Sequence, residues 1–399
     1  YWFCCLTFNF SVKIYRSIAM NNNPIKIIRA VTVSQSCGFY TGIVPELQKQ
    51  GYEVVSVSSP GPELQGLREM GVRCVEVPME RRIAPWKDLK SLWNLIQVFR
   101  KERPYMVHSM TPKAGLLCML AAWLTRVPRR VHTFTGLVWP TSTGMSRRIL
   151  MLTDWLTCAC ATHIIPEGKG VMDDLQRHIT RKPMRVLGYG NVMGVDMAFW
   201  KKENADKEQV ARIKDASRFT FLFVGRIVKD KGIDELVEAF LKLRKQRPMR
   251  LLLVGKFEDA LDPISDKARK AIETCEDIEY VGPQYGKDLL AHYAAADCFV
   301  FPSYREGFPN TVLEAGAMEL PSVVTDINGS REIIEDGRNG LIVPLKNASA
   351  FRKAMERMLT DDAMRQRMAG AAREIIATRF EQGFVRKCLL DFYGEIISR

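Results

Sequence analysis

Short runs of β-branched and aromatic residues alternate with longer helical stretches along this chain, and past its midpoint the alternation starts again. From residue 25, Ile25–Ser34, Glu53–Ser58, Val72–Val77, Tyr105–Ser109, Arg130–Phe134, His163–Ile165 and Met184–Leu187 read as strands. Between them, Pro45–Gln50, Leu89–Lys101 and Ala114–Leu124 carry apolar residues at helical spacing. A second series follows: Thr220–Val224, Arg250–Val254, Glu279–Val281, Cys298–Phe301, Ser322–Thr325 and Gly340–Val343. Its helices are Ile233–Arg244, Lys287–Ala295 and Thr311–Glu319. Apolar strands separated by helices form parallel sheets with both faces covered. The pattern predicts an α/β fold of two doubly wound parallel-sheet domains, whose ligand binds outside the carboxyl ends of strands, in the cleft between them.

The link between the two series is Gly188–Asp196 (GYGNVMGVD), followed by the charged stretch Lys201–Asp215. Gly188, Gly190 and Gly194 are spaced G-x-G-x-x-x-G with no amphipathic helix behind them. They read as hinge and turn glycines, not as a dinucleotide fingerprint. In the tail Arg379–Arg399, the residues Phe380, Phe384, Leu389, Leu390, Phe392 and Ile396 recur at helical spacing, which predicts an amphipathic helix packed on one domain or bridging both. Residues 1–19 are rich in aromatics and precede the first methionine, Met20. They read as an extension upstream of the natural start, with a short interfacial anchor as the alternative. The boundaries are therefore 1–19, 20–196, 197–378 and 379–399.

Composition narrows the class further. With 47% hydrophobic and 26% charged residues among 399, the chain is neither disordered nor a disulfide scaffold. No uncharged apolar run reaches the length of a membrane span. Ten cysteines without paired C-x-x-C hooks indicate neither a zinc site nor a disulfide framework, and read as reduced cytosolic thiols. The net charge of +13 is uneven: residues 20–200 hold 23 Lys and Arg against 13 Asp and Glu, whereas residues 201–399 hold 33 against 32. Basic clusters lie at Arg81-Arg82, Arg100-Lys101-Arg103, Arg129-Arg130 and Arg147-Arg148. Such a front half suits an anionic lipid surface, a nucleic acid or a phosphorylated substrate, or is simply a solvated basic surface. A nucleic-acid partner is disfavoured, because no recognised motif is present and the clusters lack aromatics in a stacking pattern.

Four segments carry candidate chemistry. In Phe301–Glu314 (FPSYREGFPNTVLE) a strand ends, a loop runs through Glu306, and Pro309 stands where a first-turn proline belongs. The helix start at Asn310 and Thr311 offers free N–H groups to a phosphate or sugar, with Glu306 before it and Glu314 on the helix. In Phe221–Gly232 (FLFVGRIVKDKG) a buried strand ends in Gly225-Arg226, with Lys231 opening the next helix, so two cations stand where anions bind. His132, at the end of a first-domain strand, is expected to face the cleft, or is a histidine satisfied by backbone near a turn. Gly38, after the first strand, allows close approach of a ligand or is a turn glycine. No D-x-D, G-x-S-x-G or H-E-x-x-H occurs, so no metal-chelating carboxylate pair is indicated.

Together these residues resemble the family-4 retaining glycosyltransferases of GT-B architecture, over residues 24–399. The resemblance is carried by the E-x7-E pair Glu306 and Glu314, by Gly225-Arg226 with Lys231-Gly232, and by His132. Thr325–Glu332 (TDINGSRE), Asp336–Pro344 (DGRNGLIVP) and Gly194-Val195-Asp196 match as well. It implies that residues 20–196 form the acceptor-side domain and 197–378 the nucleotide-sugar domain. It implies further that Arg226 and Lys231 hold the donor diphosphate, Glu314 the ribose and Glu306 the sugar near its reacting carbon. Gly225 and backbone around Phe308, Pro309, Asn310 and Thr311 would meet sugar or phosphate, and His132 the donor from the first domain. The family's paired glycines are replaced by Cys37-Gly38-Phe39, a departure at Gly38. SMTPKAGLL and HTFTGLVW resemble bacterial enzymes that build surface polysaccharides or lipid-linked oligosaccharides. The expected activity is retaining, metal-independent hexosyl transfer from a nucleotide diphosphate-sugar, a UDP-sugar in the first instance, to a saccharide or lipid-diphosphate-saccharide acceptor. No cofactor is expected, and the expected location is cytoplasmic, peripheral at the inner membrane. A nucleotide-sugar 2-epimerase on the same architecture is the alternative.

Overall fold

A computed structural model describes residues 24–259 and 262–398; the 1–19 extension lies outside the described residues. The chain divides into two compact units. The first runs to Glu167, resumes at Val171–Met193 and takes the chain again from Val385; the second comprises Gly168–Gly170 and Gly194–Phe384.

The first unit holds a six-stranded sheet ordered β3-β2-β1-β4-β5-β6, from β1 (Lys26–Ala30), β2 (Glu53–Ser58), β3 (Arg73–Glu76), β4 (Met106–Met110), β5 (Arg129–Phe134) and β6 (His163–Pro166). Every pair is parallel. One face is covered by the helices Pro85–Glu102, Pro112–Leu124 and Gly144–Cys160, which contribute Leu95, Phe99, Leu117 and Cys158 to the core. The other face meets Leu47, Leu64, Phe392 and Tyr393, the last two from the C-terminal helix Gln382–Ile397. That helix begins in the second unit and enters the core of the first from Val385 onward, so the tail is not a separate body. Met184–Leu187, predicted as a seventh strand, is irregular. Pro183 has no N–H to give a ladder, and Arg185 makes a main-chain bond to Ile164 of 3.2 Å without neighbours to extend it.

The second unit repeats the plan with β7 (Phe219–Val224), β8 (Met249–Val254), β9 (Ile278–Gly282), β10 (Cys298–Phe301), β11 (Ser322–Thr325) and β12 (Gly340–Val343), ordered β12-β11-β10-β7-β8-β9, again parallel throughout. The charged stretch after the link is not a bare linker, because Asp206 caps a short helix, Lys207–Ile213, by accepting from the Gln209 N–H. The link glycine Gly194 has φ +68, and a Cβ there would lie 2.4 Å from the Gln382 Cα. The close approach lets Val195 bond main chain to main chain with Phe380 and Gln382.

A buried guanidinium ties the C-terminal helix to the first sheet. Arg29, near the carboxyl end of β1, is 1% exposed. It donates to the Tyr393 hydroxyl at 2.5 Å, reaches His108 Nδ1 at 3.2 Å and lies 5.0 Å from the centre of the Tyr40 ring. Burial, with Arg29 beside it, holds His108 well below its ordinary pKa. The neutral imidazole accepts at Nδ1 and donates from Nε2 to Thr133 Oγ1, 2.7 Å away. Tyr393→Phe removes one partner of a buried cation, and the expected loss of stability is about 1–3 kcal/mol. Urea unfolding of the variant checks it, and an unshifted midpoint would show that the hydroxyl contributes nothing.

Candidate functional site

In the second sheet the strand order reverses between β7 and β10, and there the carboxyl ends of neighbouring strands diverge and leave a crevice. The segments after these two strands are Gly225–Gly232 and Pro302–Pro309. They are stitched together by the Tyr304 N–H donating to the Asp230 carbonyl at 2.8 Å, and by Arg305 Nε donating to Asp230 Oδ2 at 2.9 Å. This brings Lys231 and Glu306, 75 residues apart, into a direct ion pair. Both side chains are about 15% exposed, so the pair is only thinly solvated. Ser303 Oγ donates to the same Glu306 oxygen at 2.7 Å, and Lys231 Nζ lies 5.2 Å from the centre of the Phe301 ring.

Arg226, on the first of these segments, is half exposed and turned toward Glu258, at 2.8 Å. Both expected cations therefore hold carboxylates in this structure. Pro309 precedes the helix Asn310–Ala317, whose first residues Asn310 and Thr311 are partly exposed. Phe308 is buried and packs its ring 5.3 Å from Phe380, so only its backbone is offered to a ligand. Gly329 closes against this loop with φ +74, and a Cβ there would stand 2.4 Å from the Gly307 carbonyl and 2.8 Å from Pro309 Cδ. Its lack of a side chain lets the TDINGSRE segment press the loop into place.

Glu314 has a different environment. Tyr293 Oη lies 3.0 Å from Glu314 Oε2 and 3.2 Å from the Thr311 carbonyl, so one hydroxyl proton serves two acceptors. Although the residue keeps a partly exposed edge, burial of its carboxyl pushes the pKa up to about 7, against the opposing bond from Tyr293. Tyr293, Ser303 and Glu258 were not singled out from sequence. Of these, Ser303 alone carried a local signal, three residues before Glu306.

One expectation needs correction. His132 does not open onto the strand end: it is 1% exposed, shares a 2.8 Å bond with Ser109 Oγ and meets Phe134 edge to face at 4.5 Å. The α-helix over it is pressed so close that a Cβ at Gly115 would lie 2.4 Å from the imidazole. Burial lowers its pKa to about 3, leaving it neutral. A parallel sheet covered on both faces buries side chains of either parity, which position along the strand does not reveal. Gly38 takes an ordinary helical conformation, φ −49, with open space where a Cβ would be. It is therefore not a turn glycine of positive φ, and the open space beside it leaves room for the close approach expected of it.

The comparisons with known proteins agree with this architecture. Residues 40–190 match the glycosyl transferase 4-like domain, and residues 204–375 match the glycosyl transferases group 1. The chain is 31% identical over 376 residues to the capsular polysaccharide biosynthesis glycosyltransferase CapM of Staphylococcus aureus, covering 94% of this chain and 98% of that one. It is 25% identical to the UDP-Gal:alpha-D-GlcNAc-diphosphoundecaprenol alpha-1,3-galactosyltransferase of Escherichia coli, covering 84% and 87%. Among solved structures, a glycosyltransferase from Rickettsia africae superposes with TM-score 0.75 at 20% identity, covering 94% of this chain and 99% of that one. Anabaena Alr3699/HepE, solved in complex with UDP and glucose, gives 0.76 at 15%, covering 93% and 100%. The chain belongs to the glycosyltransferase family that joins a 4-like domain to a group 1 domain in the GT-B architecture.

The Glu314 carboxyl yields a pH prediction. Its folded pKa of about 7 exceeds the ordinary 4.5, so between these values the folded chain holds a proton that the unfolded chain has released. Stability should fall as pH rises through this window and level off above it, by on the order of 3 kcal/mol. Glu314→Gln should remove that slope. Urea midpoints across the window for both proteins test it, and equal slopes would refute the assignment.

Proposed function

We propose that this glycosyltransferase moves a hexosyl group, with retained anomeric configuration and without a metal, from a UDP-sugar to a hydroxyl of a saccharide on a lipid diphosphate. The observation that carries the reading is the thinly solvated Lys231–Glu306 pair, set before a helix start at the switch point of the second sheet. The relatives add support: the Escherichia coli galactosyltransferase named above, and the N,N'-diacetylbacillosaminyl-diphospho-undecaprenol alpha-1,3-N-acetylgalactosaminyltransferase of Campylobacter jejuni, 23% identical and covering 90% of this chain and 96% of that one. Work on a lipid-borne acceptor places the protein at a membrane surface, on the side where nucleotide-sugars are made.

In this reading the donor diphosphate displaces Glu306 from Lys231 and Glu258 from Arg226. The two cations and the helix N–H groups then stabilise the negative charge that grows on the leaving phosphate. The bond between the anomeric carbon and the β-phosphate oxygen breaks first, and the acceptor oxygen attacks from the same face. Its proton passes to the departing phosphate oxygen. Glu306, released from Lys231, faces the sugar as positive charge develops near its reacting carbon. Glu314 holds ribose hydroxyls away from the reaction. His132, being buried, serves the first unit's packing.

Thermal-shift measurements across UDP- and GDP-sugars test donor class, since a ligand bound only to the folded state raises apparent stability. Transfer to lipid-diphosphate saccharides then tests the acceptor. Glu306→Gln should lower kcat with donor KM changed less, because its interaction strengthens in the transition state. Glu314→Gln should chiefly raise donor KM, by roughly ten- to a hundredfold for one charge-assisted hydrogen bond. Steady-state kinetics separates the two. Parent-like behaviour of both variants, or no shift with any nucleotide-sugar, would remove the proposed site.

A further inference from the structure

Residues 81–160 of the first unit hold 13 Lys and Arg but three carboxylates, and five of the seven tryptophans in the chain. Each carboxylate is withdrawn from solvent. Asp88 pairs with Lys113, Glu102 is buried between Lys26 and Arg73, and Asp154 is buried. The tryptophans do the reverse. Trp86, Trp93, Trp123 and Trp155 are each at least half exposed, Trp86 at 85%.

These side chains share one face of the unit. On the helix Pro85–Glu102, the exposed positions Trp86, Leu89, Trp93 and Arg100 follow helical spacing, opposite the buried Leu95, Ile96 and Phe99. On Gly144–Cys160, the exposed Met145, Ile149, Leu152 and Trp155 form a second stripe, with Arg147 and Arg148 beside it. Both helices pack against Pro112–Leu124, which exposes Trp123 and Leu124 at its end. Two apolar stripes therefore run over the same side of the sheet, edged by cations of which Lys87 is held by Glu80 just before the first helix.

Soluble proteins seldom present so many large apolar side chains together unless a partner covers them. Tryptophan with arginine, and no free carboxylate, is the chemistry of the headgroup layer of an anionic bilayer. We propose that this three-helix face docks on an anionic lipid surface, its tryptophans and leucines entering the headgroup boundary and its arginines binding lipid phosphates. The contact is thus part apolar and does not rest on net charge alone. One cluster expected from sequence to join it, Arg129-Arg130, does not. Arg129 donates to the Ile396 carbonyl at 2.5 Å, and Arg130 to the Cys160 and Val127 carbonyls at 2.7 and 2.8 Å.

The proposal deepens the reading of a lipid-borne acceptor, but lipid binding is measured without donor or acceptor, so the two fail separately. The full chain is sedimented with phosphatidylcholine vesicles, with and without phosphatidylglycerol, and tryptophan quenching by brominated lipid is followed. The parent should bind anionic vesicles and keep a fraction bound at about 1 M salt, where charges are screened beyond about 3 Å. Trp93→Ala with Trp155→Ala should lose the salt-resistant fraction and the quenching. Arg147→Gln with Arg148→Gln should weaken anionic binding roughly thirtyfold, at about fivefold per cation. Thermal melts confirm that both variants fold. No vesicle binding by the parent, or binding unchanged in both variants, overturns the proposal. So does a lipid-free dimer of the parent that the tryptophan variant dissociates, because the face would then belong to a second copy.

Discussion

Adjacent parallel strands cannot be joined by a tight hairpin, and each crossover lays a helix across a face of the sheet. Both faces of each sheet in this protein are thereby sealed, and solvent reaches the strands chiefly at their ends. This constraint accounts for much of what is unusual inside the first unit. Polar side chains in the middle of strands must find partners within the protein. Arg29, His108, Thr133 and Tyr393 bond to one another, leaving only the Arg29 Nε without a partner in this group, and His132 bonds to Ser109. The chain's last helix is thus held by a polar lock set within an apolar core, and not by apolar packing alone.

The same constraint leaves the candidate site a small place to form. At the β7/β10 reversal, two loops meet outside the strand ends, and Asp230 joins them through main chain and side chain. The result is a pre-assembled charge pair at Lys231 and Glu306, with Ser303 and the Phe301 ring as supports. Cations already matched to carboxylates can be kept at low exposure without an unpaired buried charge. In the proposed function a dianionic ligand exchanges one partner for another here, so that its binding and the freeing of Glu306 would be one event. Glu314, eight residues on, titrates differently because its carboxyl faces Tyr293 and not a cation.

Charge placement separates the two units in a way that net charge does not reveal. The basic excess of the front half resolves into cations bound to backbone, such as Arg129 and Arg130, and cations left at the surface, such as Arg147 and Arg148. Only the second kind is available to a partner. They flank tryptophans on the outer helices, where the sequence clusters had shown no aromatic pattern, because the stripes interleave only when neighbouring helices are laid side by side.

Much of this protein is legible from its residues. Hydrophobic period and turn residues specify the strands of both sheets to within a few residues, because a strand buried on both faces needs a continuous apolar run. The E-x7-E spacing, the Gly225–Gly232 segment and the family resemblance pointed to the same loops that the fold brings together. Met184–Leu187 was misread because its composition suits a strand while its neighbours give it no ladder. His132 was misjudged because a strand's period of two is silent when both faces are covered. Gly38 drew attention as a residue type, although its conformation is open to others. Local composition and periodicity thus determined the elements, their order and the candidate loops, since these depend on contacts close along the chain. Which cation meets which carboxylate, which histidine is sealed, and which tryptophans share a face were decided by tertiary structure, because those relations join residues far apart in sequence and exist only once the sheets have closed.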